Sequence, residues 1–115
     1  MKVERELIRG AGPVAVLQLL KRHEMYGYEL AETLSRRTSG VLAMGQSTLY
    51  PLLYSLEAKK LVESRWVETE SGRRRRYYRL TEKGEAFLHQ RTAEWRELFE
   101  AMMGIGVVAP ATRGA

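Results

Sequence analysis

The apolar positions of this chain recur first at helical spacing, then at every second residue after position 61, and again at helical spacing after position 81. Residues 13–23 (PVAVLQLLKRH) open on a proline, which suits a helix start, and place Val14, Leu17 and Leu20 on one face with Val16 and Leu19 widening it. A second helix is predicted over 26–38. There Leu30 and Leu34 lie four apart, acids sit near the start, and Arg36 and Arg37 close it in keeping with the helix dipole. Two glycines between 39 and 45 mark a turn, after which Ser47 or Thr48 supplies the cap of a third helix running to about Lys60. Leu49, Leu52, Leu53 and Leu56 form its inner stripe. Pro51 then falls in its first turn, where the amide it lacks would have little to bond.

Residues 62–69 are rich in Val, Trp and Thr, 70–73 (ESGR) have turn composition, and 74–80 alternate again, which predicts a β-hairpin. Its second strand turns Tyr78 and Leu80 to the core and Tyr77 and Arg79 away, while the alternation assigns no face to Trp66. Thr81 caps a last helix from Glu82 to about Met103. On it Leu88, Trp95 and Met102 recur every seven residues, Leu98 fills the intervening step, and Phe87 and Phe99 flank the seam. Residues 104–115, rich in Gly, Ala and Pro, read as a flexible tail.

With 115 residues, 44% of them hydrophobic and 29% charged, the chain builds one ordered core and is short for a cofactor enzyme. It has no cysteine and no aspartate, and its two histidines, His23 and His89, stand on separate helices without a partner at motif spacing. No catalytic group, cofactor or metal site is therefore expected. Neither a leader pattern in the first ten residues nor an apolar run of about 18 occurs, so the expected setting is cytoplasmic, without membrane contact.

Charge is uneven. Between Arg36 and Leu80 ten basic residues face four glutamates, whereas the remainder is nearly neutral. Such a concentration suits a polyanion partner, and equally a solvated basic loop. The position of the charges weighs on this choice. Arg73, Arg74, Arg75 and Arg76 stand together at the hairpin tip, where four adjacent guanidinium groups repel one another unless an anion meets them. On the third helix Gln46, Ser47, Tyr50 and Tyr54 run along the face opposite the leucines, as side chains reading a groove must.

Three helices, a two-stranded hairpin with a basic tip and a closing helix make a mainly α fold, the winged helix-turn-helix, over residues 1–80, with a C-terminal dimerisation helix over 81–103. Several motifs in this order, YGYEL (26–30), STLYPLL (47–53), Leu56-Glu57 and YYRLTEKG (77–84), resemble the PadR-type transcriptional regulators over roughly residues 12–95. The single closing helix is similar to that of the family's small members. The resemblance implies a homodimeric repressor on a pseudo-palindromic duplex. Base contacts would come from Gln46, Ser47, Thr48, Tyr50 and Tyr54, and backbone contacts from Tyr28, Arg73, Arg74, Arg75, Arg76 and Tyr77. It also implies a planar aromatic ligand beside Trp95 at the dimer interface. Two positions depart from the family pattern: Ser47 and Lys60 stand where glycine is usual, the first bearing on base preference and the second on the angle between helix and wing. The unpartnered seam independently predicts that Leu88, Trp95, Leu98, Phe99 and Met102 pair with a second copy, helped by Leu7 and Ile8. A protein-interaction or multidrug-binding module without specific DNA readout is the alternative; it would ignore a duplex palindrome.

Overall fold

The first apolar stripe belongs to a longer helix than its proline suggests. In the computed structural model, which describes residues 4–109, α1 runs over Arg5–Arg22 with Pro13 inside it. Proline in a helix interior removes one backbone hydrogen bond, a cost that packing offsets here. Ile8 lies against the core a turn before Pro13, and Gly12 is buried where an added Cβ would come within 3.1 Å of the Met44 side chain. Val16, Leu17, Leu19 and Leu20 are the buried face, and Val14 is partly buried beside them.

Tyr26, expected to begin the second helix, lies instead in a short strand, β1 (Met25–Tyr26), and α2 occupies Gly27–Arg37. The hairpin strands are β2 (Val62–Glu68) and β3 (Arg74–Leu80), and β1 adds antiparallel to β3, giving a sheet of order β1-β3-β2 rather than two strands. Two residues carry no periodicity, so β1 is set by its partner: Met25 pairs with Tyr78 and Tyr26 with Tyr77. In the β2–β3 register Val62 faces Leu80 and Trp66 faces Arg76. Tyr78 is buried and Leu80 packs on the core, while Arg79 is exposed and pairs with Glu63.

The third helix, α3 (Gln46–Ala58), is preceded by Gly45, not capped by Ser47 or Thr48, and no side chain bonds its first amides. The helix thus starts two or three residues earlier than expected, which leaves Pro51 interior. Leu49, Leu53 and Leu56 are buried between α1, α2 and the sheet; each such side chain contributes about 1.5–3 kcal/mol.

Three helices end on the same backbone device. After α2 the amide of Gly40 donates to Ser35 and that of Ser39 to Arg36; after α3 Leu61 donates to Leu56 and Lys60 to Glu57. The last helix, α4 (Glu82–Gly104), closes likewise, with Val107 donating to Met102 and Gly106 to Met103. These are Schellman closures, whose penultimate residue takes a positive φ: Ser39 at 51°, Lys60 at 62° and Gly106 at 86°. The departure at Lys60 is thus a lysine in a left-handed position, and the tail expected from 104 begins with a closed turn. Residues 110–115, the rest of that expected tail, lie outside the described residues.

Thr81 caps α4 as expected, its hydroxyl accepting from the Gly84 amide at 2.9 Å and donating to the Lys60 carbonyl at 2.7 Å. This joins the start of α4 to the end of α3. Gly84 is buried in that joint, where any Cβ would collide with the Leu61 carbonyl oxygen. From there α4, about 35 Å long by its rise, carries the molecule to 56 × 28 × 25 Å.

Candidate nucleic-acid interface

On α3 the amphipathic division leaves Gln46, Ser47 and Thr48 exposed at the first turn and Tyr54, at 51%, exposed two turns on. Tyr50 is different: it is half-buried, and its ring lies so close over Gly27 that a Cβ there would meet the hydroxyl at 2.5 Å. The expected outward series is therefore interrupted, since Tyr50 packs α3 onto the start of α2. Tyr28 is exposed on α2 and stacks loosely with Tyr26, ring centroids 6.5 Å apart.

The hairpin tip is a tight turn in which Thr69 donates twice to the Arg73 carbonyl, from its amide at 2.7 Å and its hydroxyl at 2.9 Å. Gly72, at φ 83°, permits the reversal. Along β3 the arginines then divide by strand alternation. Arg74 and Arg76 lie over the indole of Trp66, at 5.1 and 5.9 Å from its ring centroid, whereas Arg75 lies 4.5 Å from that of Tyr26. Tyr77 meets Tyr26 edge to face, with centroids 5.4 Å apart.

Arg76 is not a free cation of the tip. Its guanidinium donates to both Glu57 carboxylate oxygens at 3.0 and 3.2 Å and to the Ser64 hydroxyl at 2.9 Å, while Ser64 itself donates to Glu57 at 2.6 Å. That closed triad ties α3 to both wing strands. Arg65 of β2 pairs with Glu24, whose carboxyl is held below its ordinary pKa by the hydrogen bond from Arg65, fastening the wing's base to the segment before β1. Arg73 and Arg74 remain exposed and Arg75 half-exposed, and none of the three forms an ion pair among the described residues.

Trp66, Glu57 and Ser64 are the residues that sequence reasoning passed over. Glu57 is one of four glutamates in the basic stretch, and nothing in the spacing pairs it with a residue 19 positions away.

At the other end Leu88 is buried in the protomer's own core, which removes it from the expected seam between copies. Ile8 also packs inward, and Leu7 is exposed. Trp95, Leu98 and Phe99 stay 41–54% exposed along α4, with Met102 half-buried beyond them. Trp95 and Leu98 border a cavity of about 530 Å³ that reaches Pro13 on α1 and Leu52 on α3.

A recognition helix with an exposed polar first turn, set beside a sheet whose hairpin ends in arginines, defines a winged helix-turn-helix protein. Residues 16–90 match the transcriptional regulator PadR-like family, and the chain belongs to that family. It is 36% identical over 102 residues to the transcriptional regulator Rv3488 of Mycobacterium tuberculosis, covering 87% of this chain and 90% of that protein. A transcriptional regulator from Clostridium thermocellum superposes with a TM-score of 0.79 at 30% identity, over 90% of this chain and 99% of that one. A PadR family regulator from Eggerthella lenta does so at 0.77 and 34%, over 87% and 85%. The protein is a transcriptional regulator, and its relatives are regulators rather than enzymes. No helix among the described residues is long and apolar enough to cross a membrane.

Proposed function

We propose that the protein is a dimeric repressor that binds a pseudo-palindromic duplex, with α3 in the major groove and the hairpin on the flanking backbone. The observation that carries this reading is the adjacency of two chemistries: Tyr54 of α3 lines the same cleft as Arg74 and Arg75 of the wing. Gln46, Ser47 and Thr48, exposed at the N-terminal end of α3, are the side chains for base edges, with Tyr54 behind them. Arg73, Arg74 and Arg75 serve phosphates, together with Tyr28 and Tyr77. Tyr50 and Arg76 act one step back, holding α3 and the wing in place.

Selection of sites from a random duplex pool tests this directly, a recovered two-fold symmetric sequence being the expected result. On that sequence Arg74→Ala with Arg75→Ala weakens specific and random duplex alike and lowers the salt slope by about 0.9 per lost phosphate contact per subunit. Gln46→Ala loses about 1–3 kcal/mol on the selected site alone. Equal losses on all sequences after Gln46→Ala would overturn the base-reading assignment.

The exposed Trp95, Leu98 and Phe99 support pairing of two copies through α4, and the cavity beside Trp95 supports a planar aromatic effector there. Such a ligand would alter the angle between the α4 helices. The separation of the two α3 helices, which must match half-sites about 34–36 Å apart, would change with it. Quenching of Trp95 in a Trp66→Phe background, with a parallel loss of operator affinity, is the expected sign.

A further inference from the structure

Arg74 and Arg76 share one face of β3, and they are held in two different ways. Arg76 gives its donors to Glu57 and Ser64, so its charge is neutralised within the protein. Arg74 has a carboxylate at hand as well: in the β2–β3 register Glu68 stands directly across from it, an arrangement that favours an ion pair. None forms between them among the described residues. The Arg74 guanidinium turns instead to its diagonal neighbour on the same face, Trp66, and lies 5.1 Å from the centroid of that indole. Trp66 is 56% exposed and no part of the buried core, so core packing does not account for a tryptophan there. The ring has an anchored neighbour, since Arg76 faces it across the strands at 5.9 Å. A line of contacts thus runs from α3 to the hairpin tip through Glu57, Arg76, Trp66 and Arg74.

An aromatic face and a carboxylate hold a guanidinium to different effect. A carboxylate neutralises the charge and occupies N–H donors, whereas the ring attracts the cation through its quadrupole and leaves the donors at the guanidinium edge free. An arginine held on a ring therefore keeps its charge and gives up rotamer freedom before an anion arrives, which lowers the cost of binding that anion. We propose that Trp66 is a positioning residue for duplex binding: it holds Arg74 in place to meet a phosphate and acts through that arginine alone. The role rests on the phosphate contact assigned to Arg74 in the proposed function. Arg75 provides an internal control, because strand alternation places it on the opposite face of the sheet, over Tyr26 and away from Trp66.

The test is a double-mutant cycle on the full-length protein, read as anisotropy on a selected and a random duplex across a salt series. Trp66→Leu binds both duplexes about two- to fivefold more weakly per subunit, at unchanged salt slope, because Arg74 still reaches its phosphate but must be ordered on binding. Trp66→Phe, which keeps a ring, recovers most of that loss. In an Arg74→Ala background Trp66→Leu has no further effect, whereas in an Arg75→Ala background the full loss returns. Without DNA, Trp66 emission in a Trp95→Phe background shifts on Arg74→Ala and not on Arg75→Ala. Affinity unchanged by Trp66→Leu, or emission that ignores Arg74, overturns the positioning role. An equal loss in the Arg74→Ala background overturns it too, making Trp66 a direct contact or a general support of the wing. A parent that binds random duplex but selects no site would overturn the operator reading alone, the cycle then being read on random duplex; a parent that binds neither overturns both.

Discussion

Lys60 is a lysine held at φ 62°, in a region that costs an L-residue about 1–2 kcal/mol, because the closure of α3 demands it. Glycine relieves that strain and gives back part of the gain through its greater freedom in the unfolded chain. Lys60→Gly is therefore expected to raise stability by about 1 kcal/mol in urea unfolding. Tyr78 makes a second prediction at this scale. Its buried hydroxyl has a raised pKa, so above the ordinary tyrosine value of about 10 the unfolded chain loses that proton while the folded one keeps it. Stability present below that value is lost as pH rises toward the folded pKa. Tyr78→Phe should be the more stable at pH 9, having no orphan hydroxyl, and its advantage should widen at pH 11. An unchanged gap would show that the hydroxyl is not confined. The first has a trace in the chain, Lys60 standing where the family usually has glycine, whereas the missing partner of Tyr78 is an outcome of packing alone.

The elements were readable to different degrees. The period-two run of 74–80 specified a strand and its inward face correctly, because burial of Tyr78 on one face leaves no other register. Helix starts were less readable: Pro13 and Pro51 both lie inside helices, where tertiary packing outweighs the lost backbone bond. Similarly, β1 is too short to announce itself. The wing's attachment, by contrast, is a matter between elements. Glu57, Ser64 and Arg76 close a triad across α3, β2 and β3, so the hairpin cannot swing without breaking charge-assisted bonds. Glu57→Ala leaves the half-buried Arg76 without its carboxylate, and about 1 kcal/mol of stability should go with it, part being recovered by solvent. Duplex affinity should fall severalfold at unchanged salt slope, because Arg73, Arg74 and Arg75 keep their charges; a reduced slope would mean that Arg76 itself meets a phosphate.

For the whole molecule, a radius of gyration of 16.2 Å exceeds the roughly 13 Å of a compact chain of this length, and the excess is the projecting α4. Trp95, Leu98 and Phe99 lie on that projection. If they meet their copies, Leu98→Glu places a charge in the contact and sedimentation at micromolar concentration should shift from dimer to monomer, with operator affinity falling in step. A parent protein that sediments as a monomer would remove the pairing. What the sequence determined by itself was the order and kind of the main elements, the inner stripes of α1, α2 and α3, and the basic hairpin tip. Those follow from local periodicity and covalent neighbours. Only the tertiary structure decided that Leu88 belongs to the protomer's own core, that Tyr50 lies over Gly27, and that Arg76 is held by Glu57 while its neighbours are not. Each of these joins residues far apart in the chain, and such pairings are chosen by how whole faces pack together, a quantity no single stretch of sequence contains.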